Sequence, residues 1–351
     1  MNSLSQLLKE HYVNFPDMEV QDAVKLLYQH FMGPGHLMAD DRVVLERLNA
    51  EWESVHADER APLFHSVGNG LYRLNLSACK AAGLSTKTVA RLFLLTAQRF
   101  QPDPEGFQAA LELVRSLPFP REDTARYLAD YRSKGCPMVS HSEQFRHQYT
   151  PAYRLVSEYY VNILPALAAI DRAMTVQPQL RVAIDGPCAS GKSTLGAALS
   201  QVYRCPLIHM DDFFLQPEQR TPQRLAQPGG NVDYERFSRD VLAPLVNGTP
   251  AHYRPYQCHN GQFGEKITVP PSPITVVEGC YCLRPDLRSA FAVRIWLEAP
   301  WAVRRQRLLE RGGQDCLARF ESLWIPLENR YFDTCGAADC CHVRLTGSSL
   351  S

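Results

Sequence analysis

The sequence contains no apolar run long enough to cross a membrane, and its first nine residues, Met1 to Lys9, lack both a cationic lead and an apolar core. Helical membrane insertion is thereby excluded and no export signal is offered, so the expected location is cytoplasmic. Charge of neither sign is in excess, with 37 Lys and Arg against 37 Asp and Glu. A chain so balanced has no global attraction for polyanions, and neither nucleic acid nor a membrane surface is expected as a partner. Internal repeats and low-complexity tracts are missing as well. Among eleven cysteines no pair has the C-x2-C spacing that lets two thiolates share a tetrahedral ion. Cys280-x-Cys282 and Cys335-x4-Cys340-Cys341-His342 therefore read as reduced thiols, mostly on buried strands, rather than as zinc ligands.

What remains is an ordinary globular balance, 45% hydrophobic and 21% charged over 351 residues, enough for about two domains. One stretch stands out. Gly186-Pro187-Cys188-Ala189-Ser190-Gly191-Lys192-Ser193 fits the phosphate-loop pattern. A strand candidate ending at Ile184 precedes it and a helix candidate from Thr194 to Tyr203 follows. Glycine lets such a loop curl its N–H groups inward, and the helix N-terminus adds its positive end at the same place. Lys192 would reach the outer phosphates and the Ser193 hydroxyl would hold Mg²⁺.

Residues up to about 174 read as mainly helical, with apolar residues three and four apart in Val20 to Phe31, Val43 to Trp52 and Val89 to Phe100. Asp103-Pro104-Glu105 marks a helix start. Thr150-Pro151 gives the same signal, and a long helix to about Met174, kinked at Pro165, is expected after it. Asn69-Gly70 between alternating arms predicts a β-hairpin over Leu63 to Leu76. Gly33-Pro34-Gly35-His36, Arg73 with Asn75, and His141-Ser142-Glu143 with Arg146, Tyr149, Tyr153 and Arg154 either line a second site or form a solvated helix face. Thr175 to Gln179 reads as a linker.

The second half alternates strand and helix, which implies a parallel sheet covered on both faces. Its strand candidates are Arg181 to Asp185, Pro206 to Met210, Ile274 to Glu278, Val293 to Leu297 and His342 to Leu345. The second of these ends in Asp211-Asp212, where a carboxylate can take the proton of an attacking hydroxyl. Asp233 follows a Gly229-Gly230 turn and suits sugar hydroxyls, although either acid would also serve as a turn cap. Glu278 ends the third strand, in position to meet Mg²⁺ through water. Arg304, Arg307 and Arg311 share one helix face, as a cationic lid or a solvated helix surface.

Together these motifs resemble the uridine kinase family of phosphate-loop kinases, related to nicotinamide riboside kinases, phosphoribulokinases and bacterial pantothenate kinases. The resemblance spans Leu180 to Leu345. It implies that the loop residues Gly186 to Thr194 bind ATP, that Asp211 is the general base and that Asp233, with Asp212 beside the base, binds the acceptor. It also implies that Ser193, Glu278 and Asp211 place Mg²⁺, that Arg304, Arg307 and Arg311 close over the transferring phosphoryl group, and that Tyr256 lies against a base. His259 is the nearest residue to the family's pyrimidine-reading histidine, out of register with it.

The expected architecture is an α/β phosphate-loop kinase domain over 181–351 with a five-stranded parallel sheet. A mainly helical domain over 1–174 with a small hairpin and a linker over 175–180 precede it. The expected function is transfer of the γ-phosphate of ATP to a hydroxyl of a small metabolite, most simply a nucleoside or nucleoside-like compound, by a monomer or a homo-oligomer. The alternative is a nucleotide-dependent switch acting through the N-terminal domain.

Overall fold

The computed structural model describes residues 2–34 and 40–349 and divides into two compact units, Met1–Val161 and Asn162–Ser351. Gly35 and His36 of the sequence motif lie outside the described residues.

In the first unit the helix Val20–Met32 buries Ala23, Val24, Leu26 and Leu27, the stripe that its 3.6-residue period predicts. It packs in one apolar core with Leu8, Val67, Leu71, Phe107, Leu128 and Phe145. The helix Thr86–Arg99 starts where Ser85 accepts a hydrogen bond from the Thr88 N–H. Pro104 opens the helix Pro104–Ala110, with Asp103 accepting from the Gly106 N–H. The predicted hairpin is present as β1, Phe64–Gly68, and β2, Leu71–Asn75, joined through Asn69 and Gly70 at φ 53° and 67°.

A third strand, β3 (Tyr153–Ser157), pairs antiparallel with β2 and replaces the start of the expected long helix. Thr150 is not an N-cap. It adopts the left-handed conformation at φ 39° and ends the helix Glu143–Tyr149, so Pro151 follows a helix instead of opening one. The remainder of that stretch forms Glu158–Val161 and Leu164–Met174, and Pro165 sits in the first turn of the latter and kinks nothing. The helix Leu164–Met174 sorts with the second unit, so the division falls after Val161 and not at the expected linker 175–180.

The second unit is built on a five-stranded parallel sheet, composed of β4 (Leu180–Asp185), β5 (Leu207–His209), β6 (Ile274–Glu278), β7 (Val293–Glu298) and β8 (Val343–Thr346). The spatial order is β8-β7-β4-β6-β5, with β4 central and all pairs parallel. Every residue of β6 is buried, as a strand covered on both faces requires. The strand order places the carboxyl ends of β4, β5 and β6 side by side, and the chemistry-bearing residues follow those ends.

Candidate active site

The phosphate loop leaves β4 and closes into the helix Lys192–Tyr203, whose N-cap Gly191 has φ 104°. Gly186 is needed for two reasons: its φ is +148°, and a Cβ there would stand 2.0 Å from the Leu297 carbonyl oxygen of β7. Asp185, fully buried, fastens the loop's entry by accepting from the Gly186 N–H at 2.7 Å, the Leu283 N–H at 3.1 Å and the Tyr331 hydroxyl at 2.8 Å. Burial raises its pKa against these hydrogen bonds. The Lys192 ammonium donates to the carbonyls of Gly186 and Pro187 at 2.8 and 2.9 Å, which holds it over the loop.

Above the loop opens a cleft of about 650 Å³. It is lined by Cys188, Ala189, Gly191, Lys192, Ser193 and Thr194 from the loop and by Asp211 and Glu278 from the ends of β5 and β6. Glu278 Oε1 accepts from the Ser193 hydroxyl at 3.0 Å and lies 2.5 Å from His209 Nδ1. That hydrogen bond is the largest cause of the raised pKa of His209. Asp211 is reached by solvent within the cleft. The surrounding walls nonetheless raise its carboxyl pKa, with Lys192 opposing and Glu278 adding to the shift.

Ser193, Glu278 and Asp211 supply hard oxygen donors of the kind that suit Mg²⁺. No group of three or more His, Cys, Asp or Glu able to cage a metal occurs among the described residues. The set therefore fits an ion that keeps waters and shares nucleotide oxygens, the usual habit of Mg²⁺ at phosphates.

The arginine row divides. Arg304 donates to the Cys188 carbonyl at 3.4 Å, and Arg307 to the carbonyls of Ala189 at 3.1 Å and Gly347 at 2.8 Å. These two are anchored on the loop, and Arg307 lines the cleft together with Arg311, whereas Arg304 does not. The helix Trp301–Arg319 that carries them breaks at Gly312-Gly313, where Gly313 has φ 69° and ψ −164°, a conformation open essentially to glycine.

The predicted acceptor residues separate from the cleft. Asp233 caps the short helix Tyr234–Phe237, accepting from the Arg236 N–H at 3.0 Å and from Gln219 Nε2 at 3.0 Å, and lines a different depression with Gln219 and Arg236. Asp212 accepts from the Tyr253 hydroxyl at 3.1 Å. Tyr256 is buried in a two-residue ribbon against Phe263, with ring centroids 5.6 Å apart. His259 lies exposed in the turn that follows. None of these four lines the cleft.

Residues that sequence reasoning left without a role line the cleft instead. Phe214 and Trp324 face each other with ring centroids at 5.8 Å, Arg319 lies 6.0 Å from the Trp324 ring, and all three line the cleft with Tyr281 and Asn231. Asn231 is buried and its amide makes no hydrogen bond of good geometry, with the Tyr281 hydroxyl as a loose partner whose pKa it lowers against burial. Tyr281 itself sits at φ 79°, a strained conformation for a bulky residue. Glu328 reaches the loop from the helix Ile325–Cys335 and accepts from the Cys188 N–H at 2.9 Å, its pKa raised by burial. The only advance signal was positional: Asn231 directly follows two glycines.

No family model matches the chain, and no curated protein matches it. Among solved structures, a possible uridine kinase from Bacillus stearothermophilus is similar over 50% of this chain and 97% of its own, at 20% identity and a TM-score of 0.38. A D-glycerate 3-kinase from Cryptococcus neoformans is similar over 53% of this chain and 87% of its own, at 15% identity and a TM-score of 0.35. Shikimate kinase from Aquifex aeolicus covers 48% of this chain and 88% of its own, at 14% identity and a TM-score of 0.26. Each likeness spans about half of this chain.

Proposed function

We propose that the second unit is an ATP-dependent phosphotransferase that moves the γ-phosphate to a hydroxyl of a small metabolite, most simply a nucleoside-like compound. One observation carries the reading: a single cleft brings the phosphate loop, the Ser193–Glu278 pair, Asp211 and Arg311 together. In this reading the loop amides and Lys192 hold the triphosphate, and Ser193, Glu278 and Asp211 would hold Mg²⁺, which supplies charge neutralisation at the phosphate oxygens. Asp211 orients the acceptor hydroxyl and takes its proton. Burial raises its pKa, which makes the carboxylate a stronger base than an ordinary one. Arg311 faces the charge that builds on the transferring group, and the loose transition state asks for position and electrostatics above all. The apolar wall of Phe214 and Trp324, with the loosely held Asn231 amide, suits an acceptor having a flat face and a polar edge.

Measuring ADP release with Mg·ATP across nucleosides, ribosides, pantothenate and sugar acids tests the reading. Stimulation by one acceptor class, with phosphate gained by that acceptor, is the expected result. A slow release that no addition changes would favour a nucleotide-dependent switch.

A further inference from the structure

The polar residues scattered through the first half of the sequence converge within the first unit. Asp22, Lys25 and Gln29 lie on one face of the helix Val20–Met32. Asp22 is spoken for completely. It accepts from Ser142 N–H at 3.1 Å, Ser142 Oγ at 2.7 Å and Glu19 N–H at 3.0 Å, and it meets His141 Nδ1 at 2.7 Å. The other nitrogen of His141 meets the Tyr153 hydroxyl at 2.7 Å, and Gln29 bonds that hydroxyl at 3.0 Å and Arg73 Nε at 2.8 Å.

The charges in this network do not cancel. Lys25, Arg73 and Arg146 face it, and none of the three makes an ion pair among the described residues. Asp22 is the single carboxylate among the groups just named. Arg73 is buried, stacked 5.0 Å from the Tyr153 ring, with its Nη2 left without a hydrogen-bond partner. Lys25 spends one hydrogen bond on the Val139 carbonyl at 2.9 Å, and Arg146 one on the His141 carbonyl at 2.9 Å, so both keep donors to offer. Both also line a cleft of about 440 Å³ with Ser140, His141, Thr150 and Pro151. Arg73 is the buried cation here, with Lys25 half-buried and Arg146 exposed; a buried cation is ordinarily matched by a carboxylate, and this cluster instead leaves an excess of positive charge beside an open cleft.

We propose that this cleft is a second ligand site, taking a small oxyanion group, the phosphate or carboxylate of a metabolite, held by Lys25 and Arg146 with Arg73 adding its charge from behind. An arginine fork beside an ammonium suits either group. Burial, with Arg73 adding, lowers the Lys25 pKa to about 8, which an anion in the cleft would reverse. The first unit is then a ligand-binding module attached to the proposed kinase.

The test uses the full chain carrying Lys192→Ala, which weakens anion binding at the phosphate loop, and reads the binding that differs between this chain and the same chain with Arg146→Gln. Inorganic phosphate and malonate are titrated by calorimetry and by thermal shift, with sodium chloride matched for ionic strength. At least one of the two is expected to bind and to raise the melting temperature. Phosphate alone assigns a phosphate ester and malonate alone a carboxylate. Arg146→Gln and Lys25→Met should each weaken binding about tenfold or more. Arg146 is exposed, so its substitution should leave the anion-free melting temperature unchanged and remove only the anion-dependent rise. Failure of both anions to bind, or binding that survives Arg146→Gln undiminished, overturns the proposal.

Discussion

Replacing Asp211 by Asn keeps the shape of the side chain and removes its capacity to accept a proton. Asp211 lines the cleft beside Glu278 and Lys192, while the groups assigned to the triphosphate are the loop amides and Lys192. ATP affinity measured without Mg²⁺ should therefore change little, and affinity for Mg·ATP should fall far less than the rate of transfer, since Ser193 and Glu278 remain for the ion. Loss of a positioned general base typically costs about 10²–10⁴ in rate, or about 3–5 kcal/mol on the barrier. Calorimetric ATP titration and single-turnover transfer to the acceptor found in the panel would measure the two quantities separately. A variant that transfers phosphate within about threefold of the parent rate would refute the role given to Asp211.

Other consequences follow from the same contacts. Glu328→Leu removes the acceptor for the buried Cys188 N–H and should lower the stability of the second unit by about 1–3 kcal/mol in urea unfolding, whereas unchanged stability would place that N–H on another acceptor. Gly313→Val forces a β-branched residue into φ 69° at a position with nothing within 4 Å, so its cost of about 1–3 kcal/mol would be backbone strain alone; a stability-neutral variant would mean the break relaxes. The first unit should be acid-labile. Burial lowers the pKa of His11 to about 2 and of His141 to about 4, so below pH 6.5 unfolding takes up protons that the folded state refuses, and stability falls as pH falls. Each ring contributes about 1.4 kcal/mol per pH unit until its folded value is reached, and Asp22, held low by His141 and Ser142 despite burial, adds in the same direction below pH 4. Amide hydrogen exchange between pH 7.5 and 5 would show it, with His11→Gln flattening the slope; exchange protection independent of pH would contradict it.

The parallel sheet was legible because its strands are short apolar runs between helical segments, and the phosphate loop because its glycines and lysine have fixed spacing. Thr150-Pro151 misled because a threonine before proline serves a helix end as well as a start, and only the left-handed φ of Thr150 distinguishes them. The five-residue strand Tyr153–Ser157 carries too short a pattern to outweigh that signal, and its partner β2 lies some eighty residues earlier. Asp233 and Tyr256 sit in stretches that look like binding motifs, yet the first caps a helix and the second packs in a ribbon. Asn231 and Phe214 offered no chemistry of their own in the sequence; only the path of the chain turns them to the cleft. The network around Asp22 was visible as isolated polar residues, but which of them meet depends on contacts more than a hundred residues apart, such as Asp22 with His141.

The central claim is that the γ-phosphoryl group goes to an acceptor hydroxyl. ATP carrying ¹⁸O on its γ-phosphate, incubated with the protein, Mg²⁺ and the stimulating acceptor, tests it most directly by mass spectrometry. The account predicts an acceptor that gains a phosphoryl group bearing the label, with none formed by Lys192→Ala. Labelled inorganic phosphate alone, formed at a rate indifferent to any acceptor, would contradict it.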